Sequence, residues 1–81
     1  MITTDELTDR LARIVHEITA TPVTPETDLL DAGLDSLACV ELTYRVEQEL
    51  GVACSLEDIL GCETVADLAR NLGSRLDPGE G

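Results

Sequence analysis

Aliphatic residues at helical spacing, cut by Pro22 and Pro25, constrain the fold of this 81-residue chain more than any other feature. Leu7, Leu11, Ile14, Val15 and Ile18 fall on one face of a helix and make a continuous apolar stripe. Ahead of them, Thr3-Thr4-Asp5-Glu6 fits a capping box, with Thr3 as the cap and Glu6 closing it. The spacing predicts a first helix that ends near Ala20. Pro22 and Pro25 cannot continue it, so a loop runs on to about Leu34. That loop carries Leu29, Leu30 and Leu34, and some of these must fold back onto the core.

The same reading predicts a second helix from about Ser36 to Leu50, with Gly51 as its stop. Ser55-Leu56-Glu57-Asp58 looks like another N-cap, opening a short helix through Leu60 that Gly61 closes. Thr64-Val65-Ala66-Asp67 opens a last helix in which Val65, Leu68, Ala69, Leu72 and Leu76 share a face. Neither a β-strand nor a repeat is evident. The expected fold is all-α, a four-helix bundle with three long helices, a short third helix and a long first loop. It occupies residues 1–76 as one domain, and residues 77–81 form a flexible tail. With no Trp or Phe, and Tyr44 the only tyrosine, the core must be aliphatic.

Seventeen acids face five bases, giving a net charge of −12. Every base is an arginine, and Arg45 is the only one between Ile14 and Ala69. Such a surface repels nucleic acid and anionic membranes and steers the chain towards basic partners, although solubility alone would favour it too. No apolar run approaches a membrane span, and the first residues are polar and acidic, so a cytoplasmic monomer is expected. Cys39, Cys54 and Cys62 are odd in number and lack metal-ligand spacing, which argues against a disulfide framework or a zinc site. His16, the only histidine, falls on a solvated flank of the first helix rather than in a ligand set.

Gly33-Leu34-Asp35-Ser36-Leu37 places a serine where loop becomes helix. A serine there usually caps free backbone N–H groups. The helix that follows, however, has two apolar stripes. Cys39, Leu42, Val46 and Leu50 cluster on one side and suffice to bury it. Leu37, Val40 and Tyr44 fall roughly opposite, flanked by Glu41 and Glu47, with Arg45 between the stripes. Scattered exposed apolar residues are ordinary, but an apolar centre with an acidic rim also describes a docking surface.

Leu29-Leu30-Asp31-Ala32-Gly33-Leu34-Asp35-Ser36-Leu37, followed by Val40-Glu41-Leu42, resembles the signature of the carrier proteins of fatty acid, polyketide and nonribosomal peptide synthesis. The resemblance runs from the first helix to about Leu76. It implies that a phosphopantetheinyl transferase esterifies Ser36 with 4′-phosphopantetheine from coenzyme A. It implies too that Asp35 helps present Ser36 to that enzyme, beside its plainer role as a helix cap. Leu37, Val40, Glu41, Tyr44 and Glu47 would form the partner surface, with Glu57 and Asp58 at its edge. Basic patches on acyl-loading ligases or transferases and on synthases would meet it. The carrier would perform no chemistry, and acyl groups would ride as thioesters.

Gly33-Leu34-Asp35-Ser36 is closer to acyl carriers of the polyketide type than to peptidyl carriers, which often have a second glycine at the Leu34 position; a peptidyl or aminoacyl carrier is the alternative. Ala38-Cys39 and Arg45 depart from a housekeeping fatty acid carrier, which points to a specialised pathway. A cargo pocket, if the bundle has one, would use Leu42, Val46, Cys54, Ile59, Val65 and Leu68, all equally suited to plain core. A calcium loop starting at Asp28 fails, because Leu30, Ala32 and Cys39 would occupy ligand positions. A serine hydrolase lacks the Gly-x-Ser-x-Gly elbow and would need His16 from another helix. An acidic adaptor without a prosthetic group explains the charge but leaves the serine and its context as coincidence.

Overall fold

Backbone capping sets where each helix of this chain begins. In the computed structural model, which describes residues 3–76, the helices are α1 (Thr4–Thr19), α2 (Ser36–Leu50), α3 (Leu56–Leu60) and α4 (Val65–Leu76). Thr3 accepts a hydrogen bond from the Glu6 N–H at 3.1 Å, but the box is only half made. Glu6 turns its carboxylate to Arg10 instead, at 3.4 Å. The full reciprocal box is found at α3, where Ser55 Oγ accepts from Asp58 N–H at 3.2 Å and the Asp58 carboxylate from Ser55 N–H at 2.9 Å. Thr64 and Asp67 exchange the same pair of bonds at the start of α4, at 3.1 and 3.4 Å. The expected tail, residues 77–81, and the Leu76 side chain lie outside the described residues.

α1 supplies the centre of the core. Its Leu7, Leu11, Ile14 and Val15 are buried, and it packs against both α2 and α4. Leu42 and Val46 of α2, and Val65, Leu68, Ala69 and Leu72 of α4, complete a mainly aliphatic interior that also takes in Cys39. Each of the buried leucines, isoleucines and valines contributes about 1.5–3 kcal/mol on burial. Across the α1–α2 seam Arg45 reaches Glu17 at 2.5 Å and Arg13 reaches Glu49 at 3.4 Å, and within α2 Arg45 also holds Glu49 at 2.7 Å.

The long connection between α1 and α2 is held at several points. Ala20 takes the left-handed conformation (φ 59°) and closes α1 with its N–H on the His16 carbonyl at 2.7 Å. His16 is exposed, and its Nδ1 lies 2.8 Å from the Thr21 carbonyl. Further on the chain makes a single antiparallel bridge, Asp28 to Thr64, the one trace of β-pairing among the described residues. Leu29 N–H donates to Glu63 at 2.8 Å, Val65 N–H to Thr27 at 3.3 Å and Ala66 N–H to Pro25 at 3.0 Å. This seam settles the three loop leucines: Leu29 and Leu34 are buried, while Leu30 is left exposed. Gly33, at φ 97°, then turns the chain into α2.

α3 is short, and it is held from both sides. Beyond its capping box, Arg75 of α4 grips both Asp58 oxygens at 2.6 and 2.7 Å and the Ala53 carbonyl at 3.0 Å. The Arg75 guanidinium, with the Ser55 backbone N–H, holds the Asp58 carboxyl well below the usual carboxylate range. A depressed folded-state pKa stabilises the fold above the unfolded value and loses that contribution as pH falls towards the folded one. Asp58→Ala is therefore expected to cost about 1 kcal/mol at neutral pH through the lost cap. In urea titrations the gap to wild type should narrow below about pH 4, where unfolded aspartate begins to protonate. A gap that is constant with pH would contradict this account of α3.

Candidate functional site

The cap at the start of α2 is Asp35, and this decides what Ser36 is free to do. Asp35 Oδ1 accepts from the Ala38 N–H at 2.9 Å, and the Asp35 carbonyl accepts from Cys39 N–H at 2.9 Å. Ser36 is the first helical residue rather than the cap. It is exposed, and its hydroxyl makes no hydrogen bond among the described residues. The N–H groups of Ser36 and Leu37 are likewise unpartnered there, as expected for the first turn of a helix. A hydroxyl beside two free donors at the positive end of a helix can accept a phosphate with little electrostatic cost.

Around Ser36 the expected second stripe of α2 is present as a surface. Leu37 is 78% exposed, Val40 50% and Tyr44 62%, while Cys39, Leu42 and Val46 face the core. Glu41, Glu47 and Glu57 are exposed and form no ion pair among the described residues. Asp58 differs from them. Its carboxylate is taken up by Arg75 and Ser55, so at the edge of this surface it holds α3 in place rather than offering a free charge. Arg45, between the two stripes, leaves the acidic rim uncompensated, because it is folded back onto Glu17 and Glu49.

The sequence missed three residues here. Leu30, Leu56 and Leu60 are exposed, and with Leu34, Cys39 and Val40 they line a groove of about 410 Å³ that reaches Ser36. The Leu56/Leu60 pair, one turn apart in an acidic helix whose Ile59 is buried, was the available signal. A smaller cavity of about 210 Å³ shares Leu30, Leu34, Cys39 and Leu60 with the groove and is lined besides by Leu29, Ile59 and Cys62 among others. Of the residues expected for a cargo pocket only Ile59 borders it; Leu42, Val46, Val65 and Leu68 are closed core and Cys54 is half-buried. The cysteines are all free thiols. Burial pushes Cys39 and Cys62 upward and Cys54 up to about 11, so they stay protonated and poorly nucleophilic near neutral pH. Among the described residues no cluster of His, Cys, Asp and Glu is arranged to hold a metal ion, and no helix is long and apolar enough to cross a membrane.

The profile of the family described as "Phosphopantetheine attachment site" matches residues 5–72. The meromycolate extension acyl carrier protein of Mycolicibacterium smegmatis is 37% identical over 70 residues, 82% of this chain and 71% of that protein. Its namesake in Mycobacterium tuberculosis is longer, and the chain spans only 62% of it. The acyl carrier protein MbtL of Mycobacterium bovis is 41% identical over 59 residues, 72% of this chain and 70% of that one. BlmI, a type-II acyl carrier protein of Streptomyces verticillus involved in bleomycin biosynthesis, superposes with a TM-score of 0.83 at 26% identity, covering 90% of this chain and 89% of its own. The all-helical bundle, the Ser36 turn and these matches agree: the chain belongs to the phosphopantetheine-attachment family, the acyl carrier proteins, whose prosthetic group is 4′-phosphopantetheine.

Proposed function

We propose that Ser36 is the attachment residue and that the chain carries acyl groups in polyketide-type specialised biosynthesis. The observation that carries this reading is the exposed Ser36 hydroxyl, relieved of capping by Asp35. The residues present fit the group: an unpartnered hydroxyl, the free N–H groups of Ser36 and Leu37, and an apolar groove leading away from them. When bound, phosphopantetheine supplies a terminal thiol on which an acyl group is held as a thioester. This chain's own residues bind and orient, and partner enzymes do the chemistry. Asp35 serves twice, since Oδ1 caps α2 while its charge remains available to a phosphopantetheinyl transferase approaching with coenzyme A. The likeness to a carrier of bleomycin biosynthesis favours an antibiotic-type pathway.

Leu37, Val40 and Tyr44, ringed by Glu41, Glu47 and Glu57, form the surface that loading ligases or transferases and synthases read through basic patches. We add Leu30, Leu56 and Leu60 to it. Contacts of this kind, apolar at the centre and charged at the edge, are fast, weak and salt-sensitive, as a monomeric cytoplasmic shuttle between several enzymes requires.

Incubation with coenzyme A, Mg²⁺ and a promiscuous phosphopantetheinyl transferase is expected to add one phosphopantetheine by intact mass, and none to Ser36→Ala. A folded sample that accepts nothing, or a Ser36→Ala chain that is still loaded, would contradict the assignment. Glu47→Lys is expected to slow partner turnover about five- to tenfold at low salt, with an unchanged melting curve. For wild type, raising the salt from about 0.05 to about 0.5 M should slow partner turnover too. Turnover indifferent to both changes would rule out an acidic docking surface.

A further inference from the structure

The groove that reaches Ser36 and the cavity next to it share one wall, the five-residue α3. Leu56 and Leu60 line the groove, and Ile59 and Leu60 line the cavity. A helix of that length has no stability of its own in water, so its position is fixed by what it touches. Of its apolar side chains only Ile59 is buried, while Leu56 and Leu60 are exposed. The capping box between Ser55 and Asp58 shapes the first turn but ties it to no other element. The remaining tie comes from a side chain 17 residues further along the chain. Arg75, in the last turn of α4, lines neither the groove nor the cavity. Its guanidinium donates to Asp58 Oδ2 at 2.6 Å, to Asp58 Oδ1 at 2.7 Å and to the Ala53 carbonyl at 3.0 Å. It thus fixes α3 together with the connection that leads into it. A planar guanidinium that holds both oxygens of a carboxylate sets orientation as well as distance. The Asp58 side chain is only 14% exposed, so solvent screens the pair only in part.

We propose that Arg75 is a positioning residue for partner recognition: from outside the docking surface it holds α3 where Leu56 and Leu60 wall the groove that reaches Ser36. The inference rests on Ser36 being the modified residue, and it gives the last turn of α4 a part in recognition. A wall held in advance spares a partner the cost of ordering it. Loosening α3 therefore weakens docking and leaves the chemistry at the Ser36 hydroxyl alone.

Arg75→Gln tests it. Glutamine is a good helix former and Arg75 is exposed at a helix end, so the bundle should hold. Arg70→Gln removes the same charge from α4 at a site paired only with Asp67, and serves as the control. Both variants make the chain more acidic, which by long-range charge alone would lower KM for a basic partner. A rise in KM therefore reads position and not charge. With a promiscuous phosphopantetheinyl transferase, coenzyme A and Mg²⁺, Arg75→Gln should raise KM for the carrier about threefold at unchanged kcat. Arg70→Gln should show no rise. Asp58→Asn combined with Arg75→Gln restores the net charge without restoring the grip, so KM should stay raised. Relaxation dispersion on Arg75→Gln should show microsecond-to-millisecond exchange at the Ile59, Leu60 and Gly61 amides and none at Leu11 or Ile14 of α1. A KM at or below the wild-type value in Arg75→Gln, an equal rise in Arg70→Gln, or recovery in the double variant would overturn the proposal. Exchange absent from α3, or spread equally over α1, would overturn it as well. A wild-type chain that takes up no phosphopantetheine would instead contradict the Ser36 assignment, so the two failures are distinguishable.

Discussion

The seam between the long first connection and the start of α4 is the constraint on which the Ser36 end of the molecule depends. Three backbone hydrogen bonds, Leu29 to Glu63, Val65 to Thr27 and Ala66 to Pro25, tie a segment with no regular structure of its own to the beginning of a packed helix. Held there, the connection can drop Leu29, Ala32 and Leu34 into the core, which a free loop could not do without a large cost in chain entropy. Gly33 then reverses the chain, and Asp35 arrives with its carboxylate over the first turn of α2. The serine that follows has no structural duty left. Its availability is a consequence of how the preceding fifteen or so residues are anchored, not of the serine alone.

Charge is sorted in the same economical way. Each of the five arginines has a carboxylate partner: Arg10 with Glu6, Arg13 with Glu49, Arg45 with Glu17 and Glu49, Arg70 with Asp67, and Arg75 with Asp58. The more exposed of these pairs contribute little to stability. Their consequence is spatial, because they neutralise acids on the α1–α2 seam and under α3 and leave Asp35, Glu41, Glu47 and Glu57 uncompensated around Ser36. An apolar stripe that the core does not need, set in that negative field, suits brief encounters with basic partners better than a permanent interface.

Periodicity and punctuation made most of this fold legible in the sequence. The α1 stripe, the Gly51 stop, the two faces of α2 and the N-caps of α3 and α4 all stand where local chemistry puts them, because each depends on residues within a few positions. What local reading could not settle depends on contacts between elements. Glu6 looked like half of a capping box, yet an exposed carboxylate can choose Arg10 one turn away instead. Asp58 looked like part of an acidic edge until Arg75, distant in sequence, was seen to hold it. Which of Leu29, Leu30 and Leu34 would be buried was set by the bridge to Thr64, and bridges of a single residue pair leave no periodic trace. Leu42, Val46, Val65 and Leu68 suited a pocket and plain core equally, and the contacts between elements decide for core, because α1 packs against α2 and α4 and closes them in.

The central claim is that a hydroxyl freed by the Asp35 cap accepts the prosthetic group while the helix end stays as it is. A through-bond ³¹P–¹H correlation on the loaded, isotope-labelled chain tests it most directly. The account predicts a phosphodiester resonance coupled to the Ser36 β-protons, with the Ala38 amide still in its Asp35-bonded position. Coupling to any other residue, or collapse of the first turn of α2 on loading, would contradict it.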